Sequence, residues 1–204
     1  MSNLDNVDPS WPLGDLKRHH YKVLVIDPPW RWQAWSSKGL HKSPQNHYQC
    51  MDLAAIKQLP IAELADPEGC ALLLWGTAPM IPEALETLQA WGYTFKTMAT
   101  WAKRSSTGAK WAFGTGYIFR SAAEFILVGT RGKPKQKVKN VRNLFIAPVR
   151  EHSRKPDIIF EYAEALWDGP YAEVFSREAR HGWDRFGDEP DRFVSNPEID
   201  ALIS

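Results

Sequence analysis

The chain contains only two cysteines, Cys50 and Cys70, and their spacing matches neither a disulfide framework nor a metal-binding pattern. No apolar run approaches the roughly 20 residues that cross a bilayer as a helix. The stretch Met1–Pro12 is polar and lacks the apolar core of a secretory leader. These absences argue against a disulfide-stapled scaffold, a zinc module and a helical membrane protein; they predict an intracellular location, no metal and no membrane partner. An excess of one charge is missing too. Twenty-five Lys and Arg against 24 Asp and Glu leave a formal net charge of +1, so the total gives no sign of a nucleic-acid partner. Nor does a glycine-rich phosphate fingerprint follow the first predicted strand.

What the chain does have, 204 residues at 44% hydrophobic content, fits one globular α/β domain with a full core. Residues 1–20 are expected to form a poorly ordered lead-in, 21–190 the domain and 191–204 a tail. Val23–Ile26 is short, apolar and β-branched, as a buried strand is. Residues 31–49 lack periodicity and are expected to form a long functional loop. Asp52 is placed to cap a helix running to about Gln58. Gly69–Trp75 predicts a second buried strand, and a helix from Pro79 to Ala90 follows, with Pro82 tolerated in its first turn. Further strands are expected over Tyr93–Trp101, Gly116–Arg120, Glu124–Thr130 and Pro170–Phe175, with a loop over 103–115 and a helix over Pro156–Trp167. Alternating strands and helices predict a mostly parallel sheet with helices on both faces. In such sheets ligands bind beyond the carboxyl ends of the strands, where Asp27, Thr77, Trp101 and the segment 175–177 fall.

The run Asp27-Pro28-Pro29-Trp30 is the most informative of these ends. Two prolines fix φ and carry no N–H, so the turn holds one carboxylate and nearby carbonyls as unpaired acceptors beside an indole. That suits a planar base with an exocyclic amino group. The same residues would also serve as a plain turn cap and a core plug. Charge is unevenly distributed. Arg131, Lys133, Lys135, Lys137, Lys139, Arg142, Arg150, Arg154 and Lys155 face Glu151 alone over residues 131–155, and Lys103, Arg104 and Lys110 form a second basic cluster. Such runs are either solvated loops or the track of a phosphate backbone. Ten tryptophans supply core packing and candidates for base stacking, Trp32 among them.

These residues form an ordered pattern. Asp27-Pro-Pro-Trp30 is followed by His47-Tyr48 with Met51, Leu72-Leu-Leu-Trp75, Ala90-Trp-Gly92, Trp101-Ala-Lys103, and Gly114 to Arg120 with Glu124. Then come His152-Ser-Arg-Lys-Pro-Asp157, Glu173-Val-Phe175 with Arg177, and Gly182-Trp183 leading to Gly187. From about Lys22 to Glu189 the chain resembles the adenine-N6 methyltransferases whose signature is Asp-Pro-Pro-Trp. That family includes the catalytic subunit of the eukaryotic mRNA N6-adenosine methyltransferase and many bacterial and phage DNA enzymes.

The resemblance implies S-adenosyl-L-methionine as methyl donor and a Rossmann-like methyltransferase fold with permuted motif order, the catalytic strand preceding the cofactor strand. It implies that Asp27, Pro28, Pro29 and Trp30 form the catalytic motif, with Asp27 between the cofactor and the target amino group and Trp30 stacked on the target adenine. By the same pattern Lys155 pairs with the methionine carboxylate, Glu173 and Arg177 contact the ribose, Phe175 supports the cofactor wall and Asp188 lies near the cofactor's adenine. Two departures stand out: Glu178-Ala179-Arg180-His181 replaces a small polar or histidine-asparagine step, and Asp188 replaces an asparagine. DNA is expected over RNA as the polymer, gripped by Trp32, Lys38, Lys103, Arg104, Lys110 and the basic residues Arg131 to Arg142. A homodimer is compatible with the small reading surface of one domain.

Overall fold

The computed structural model describes residues 10–30, 51–151 and 154–187. Its frame is a seven-stranded sheet of β1 (Val23–Ile26), β2 (Gly69–Gly76), β3 (Thr94–Arg104), β4 (Ala123–Gly132), β5 (Leu144–Pro148), β6 (Tyr171–Val174) and β7 (Trp183–Phe186), in spatial order β5-β3-β4-β2-β1-β6-β7. Four of the six pairings are parallel, and the two antiparallel ones both involve β4. Six strands therefore share one direction and β4 alone is reversed. The sheet is mixed and mostly parallel, with a single inversion that hydrophobic patterning does not signal.

Helices α1 (Leu53–Gln58), α2 (Ile61–Leu64), α3 (Ile81–Ala90) and α4 (Ile158–Leu166) complete the layers. Strands β1 and β2 are buried along their whole length, so each reads as a continuous apolar run. The pleat then divides them. Leu24, Ile26, Leu72 and Leu74 pack with Ile56, Ile61, Leu64, Ala84 and Leu88 from α1, α2 and α3. Val23, Val25, Leu73 and Trp75 pack on the other side with Ile159, Phe160 and Ala163 of α4. Each fully buried aliphatic side chain contributes about 1.5–3 kcal/mol, and the two faces together fix the register of the central strands.

Several expectations need correcting. Gly116–Arg120 is not a strand: it pairs with no other strand among the described residues and bends at 117–119. Strands β5 and β7 were not foreseen: half of β5 is exposed, and β7 is a short edge strand. Asp52 occupies the N-cap position of α1 but makes no side-chain cap bond. The described part of the expected lead-in, residues 10–20, is packed rather than loose. Leu13 and Leu16 are buried in the core, and Trp11 donates its indole N–H to the Leu16 carbonyl at 2.8 Å. The expected loop over 31–49 lies outside the described residues.

If this segment is part of the fold, Leu13→Ala costs about 2–5 kcal/mol of unfolding free energy, read as a lower urea midpoint. An unchanged midpoint would mean the segment contributes nothing.

Candidate active site

Because β4 runs against its neighbours, its first residues meet the carboxyl ends of β1, β2 and β3 at one edge of the sheet. Asp27 follows β1, Lys103 lies near the end of β3, and Glu124 is the second residue of β4. Lys155 arrives from the segment ahead of α4. These four side chains, each less than a fifth exposed, form a line of alternating charge. Lys155 Nζ lies 2.8 Å from Asp27 Oδ2 and 3.3 Å from Glu124 Oε2, and Lys103 pairs with Glu124 Oε1. Two aromatic rings flank the line. Lys155 Nζ sits 5.3 Å from the Trp75 ring centre and Lys103 Nζ 4.8 Å from that of Trp101, while the two indoles meet edge to face at 6.0 Å. Burial pushes the Glu124 carboxyl upward, but the two ammonium groups overcome it and hold it below its ordinary value. Burial likewise opposes the charge on Lys155, and Asp27 and Glu124 outweigh it, keeping Lys155 protonated well into the alkaline range.

The two proline carbonyls, expected to be unpaired acceptors, both take a backbone bond. The Pro28 carbonyl accepts the Trp30 N–H at 2.8 Å, and the Pro29 carbonyl accepts the Met51 N–H at 3.1 Å. The first bond uses one lone pair of Pro28 and fixes the direction of the other. Asp27 Oδ2 is taken by Lys155, whereas Oδ1 has no protein partner among the described residues. Trp30 is only 8% exposed and donates its Nε1–H to the Trp75 carbonyl at 3.0 Å. It is therefore held fixed as a wall of the cleft. These residues line a cleft of about 980 Å³, roofed by the loop 105–122 and flanked by Lys155 and Arg177.

Beside the cleft, β6 carries Glu173 and is followed by Phe175 and Ser176. Phe175 has φ +66°, a left-handed conformation that costs a non-glycine residue of order 1–3 kcal/mol. The turn is closed by Ser176, whose N–H donates to the Phe186 carbonyl at 2.9 Å. It also needs Gly187, where a Cβ would lie 2.2 Å from the Ser176 carbonyl oxygen. Burial pushes the Glu173 carboxyl up to about 7, with the Ser176 hydroxyl bond at 2.9 Å opposing. With Ser176 its one hydrogen-bond donor among the described residues, this carboxylate fits a vicinal diol, which supplies two. On that ground the residues present fit the ribose of S-adenosylmethionine.

Other expected site residues find different roles. The pairing of Lys155 with a methionine carboxylate meets an ammonium already shared by Asp27 and Glu124. Lys103, expected to grip a phosphate backbone, is half of a buried ion pair and unavailable for that. Lys110 lines the rim of the cleft, and Arg104 ends β3 with its guanidinium over Trp111. Arg131 and Lys133 lie at the far end of β4, next to the start of β2, on the edge of the sheet opposite Asp27. Lys137 pairs with Asp168 at 3.1 Å, and Lys135, Lys139 and Arg142 are exposed on the same segment. The basic residues 131–142 thus form a solvated connection, remote from the cleft. Trp32, Lys38 and Asp188 lie outside the described residues.

The departure Glu178-Ala179-Arg180-His181 is taken up by a clamp. Arg154 pairs with Glu178, and Arg180 reaches Asp157 at 2.7 Å and Glu178 at 3.3 Å. Arg150 meets Asp157 at 2.8 Å. The segments carrying Lys155 and Arg177 are thereby tied together. Burial pushes Asp157 up, but the arginines prevail and hold it below the usual carboxylate range. Glu124 was absent from the expected site, yet a signal existed: it is the sole acidic residue between Glu86 and Glu151. Cys70 is buried, and burial pushes its thiol up to about 12, which rules it out as a nucleophile.

With this geometry in place, the match to known proteins is decisive: the pattern of the MT-A70 family fits residues 21–189. The chain belongs to the MT-A70 family. It is 27% identical to the type II methyltransferase M.MunI of Mycoplasma sp, over 98% of this chain and 90% of that one. It is also similar to the human N(6)-adenine-specific methyltransferase METTL4, at 27% identity over 86% of this chain and 39% of the relative. The human N(6)-adenosine-methyltransferase catalytic subunit METTL3 matches at 28% over 89% and 30%. The chain thus spans nearly the whole bacterial relative but well under half of the human ones.

The buried carboxyl yields a pH test. Glu173 titrates near 4.5 when unfolded and near 7 when folded. Between those values the folded chain holds a proton the unfolded chain has lost. This group's contribution is therefore fully present below about 4.5 and is lost as pH rises through about 7. Glu173→Gln should gain thermal stability relative to wild type from about pH 5 to about pH 8. A Tm difference independent of pH would show that the carboxyl is not displaced.

Proposed function

We propose that this protein is an S-adenosylmethionine-dependent methyltransferase that methylates N6 of adenine in DNA. The observation that carries the reading is Asp27 Oδ1, a carboxylate oxygen with no partner among the described residues, beside a directed Pro28 carbonyl lone pair at the floor of a cleft. Family membership supports the methyl transfer to adenine. DNA is favoured because the chain is coextensive with a bacterial type II methyltransferase, whereas METTL3 carries most of its length outside the match. RNA is the second reading, favoured by the similarity to METTL3.

S-adenosylmethionine, when bound, supplies a methyl group on sulfonium sulfur that is open to displacement by a nitrogen lone pair. The amino nitrogen of adenine is a poor nucleophile because its lone pair is delocalised into the ring. Asp27 Oδ1 and the Pro28 carbonyl accept its two N–H bonds and so favour a pyramidal nitrogen with its lone pair turned toward the donor. Lys155 holds Asp27 in place, Glu124 holds Lys155, and Lys103 holds Glu124. Catalysis is then mainly positioning and fixed charge. Glu173 takes the ribose hydroxyls. Arg177, close enough to Lys155 to oppose its charge, provides with it a cationic corner for the cofactor's carboxylate.

Asp27→Asn keeps the shape but loses the charge. Transfer of labelled methyl to unmethylated DNA should fall by about 10²–10³-fold or more, with cofactor affinity, measured by calorimetry, changed only a few-fold. Transfer at the wild-type rate would contradict the role of Asp27.

A further inference from the structure

The loop 105–122 carries side chains that soluble surfaces normally hide. Ile118 is 90% exposed, Phe119 86% and Phe113 78%. The loop is held at its base. Lys103 N–H donates to the Ala122 carbonyl at 2.8 Å, Ala112 N–H to Lys103 at 2.9 Å, and Gly114 N–H to Ser121 at 2.9 Å. Above these bonds the chain doubles back so tightly at Gly116 that a Cβ there would lie 2.0 Å from the Phe119 carbonyl oxygen. The turn closes only over glycine, and it throws residues 117–119 outward at the rim of the cleft that leads to Asp27.

The surroundings of this tip are cationic. The Arg104 guanidinium lies 3.8 Å over the Trp111 ring, and that of Arg120 lies 5.2 Å from the Phe113 ring centre. Lys110 is exposed on the same loop, and no acidic residue occurs between Arg104 and Ala123. An apolar tip ringed by positive charge suits a polyanion with an apolar interior, which is a stacked duplex.

We propose that Ile118 and Phe119 form a wedge that enters the base stack of duplex DNA beside the target adenine, while Arg104, Lys110 and Arg120 seat the flanking phosphates. The inference rests on the DNA reading above. A paired adenine cannot bring its amino group to Asp27 at the cleft floor without leaving the helix, which costs it its pairing and stacking. Apolar side chains inserted between base steps offset such unstacking. The wedge therefore acts on access to the site, and the chemistry at Asp27 does not need it.

The test uses unmethylated genomic DNA, native and heat-denatured, with labelled S-adenosylmethionine and the variant Ile118→Ala/Phe119→Ala. Both side chains are exposed, so the variant's Tm should match wild type. Transfer to native duplex should fall roughly tenfold or more, and transfer to denatured strands should stay within about twofold. Phe119→Trp, which restores bulk, should retain duplex transfer; this arm decides the matter if wild type acts on duplex alone. Equal losses on both substrates, no loss on duplex, or failure of Phe119→Trp would overturn the wedge. So would a wild-type dimer that the double variant converts to monomer by sedimentation, since the tip would then seat a second copy. Wild type transferring methyl to neither form of DNA would instead overturn the DNA reading itself, and the wedge with it.

Discussion

The buried line Lys103–Glu124–Lys155–Asp27 is the constraint around which the site is arranged. Taking four charges out of water costs several kcal/mol for each ion unless every one finds an opposite neighbour. Here the signs alternate and the sum is zero, so each interior charge is shared by two others. The arrangement locks three strand ends and the approach to α4 into one register. It also leaves Asp27 with one oxygen committed and the other without a partner among the described residues, a division that a lone, solvated carboxylate would not keep.

The inversion of β4 makes that line possible. Were β4 parallel to β2, Glu124 would lie at the opposite edge of the sheet, where Arg131 and Lys133 are found. Reversal delivers its first residues to the active edge and sends the basic connection away. A second set of charges, Arg150, Arg154, Asp157, Glu178 and Arg180, ties the Lys155 segment to the one that follows β6. Strain at Phe175 is accepted within that clamp because the turn presents Glu173 and Ser176 beside the cleft. Compressed packing at Gly187 and Gly116 serves similar ends, one closing the Glu173 turn and the other projecting the loop tip.

Much of this was legible from the chain. Strands β1 and β2 are short apolar runs bounded by turn residues, and burial on both faces leaves that signature. The ordered motifs around Asp27, Lys155, Glu173 and Arg177 identify the family, and those four residues do gather at one edge. What escaped was tertiary in origin. Strand β5 is half exposed and β7 is a four-residue edge, so neither has a distinctive period. Gly116–Arg120 has strand-like composition, but its apolar residues face solvent rather than a core. The basic residues 131–142 are conspicuous in sequence and peripheral in space, while Glu124 is inconspicuous and central. Composition counts charges; it does not say which of them share a buried line.

A double-mutant cycle between Glu124 and Lys155 tests the account most directly. Methyl-transfer rates would be measured for Glu124→Gln, Lys155→Met and the combined variant. If the line holds Asp27 as a unit, the combined variant is about as slow as the slower single one, because either change already breaks the chain. Losses that multiply would mean the two residues act independently, and the charged line would then not be what positions the catalytic carboxylate.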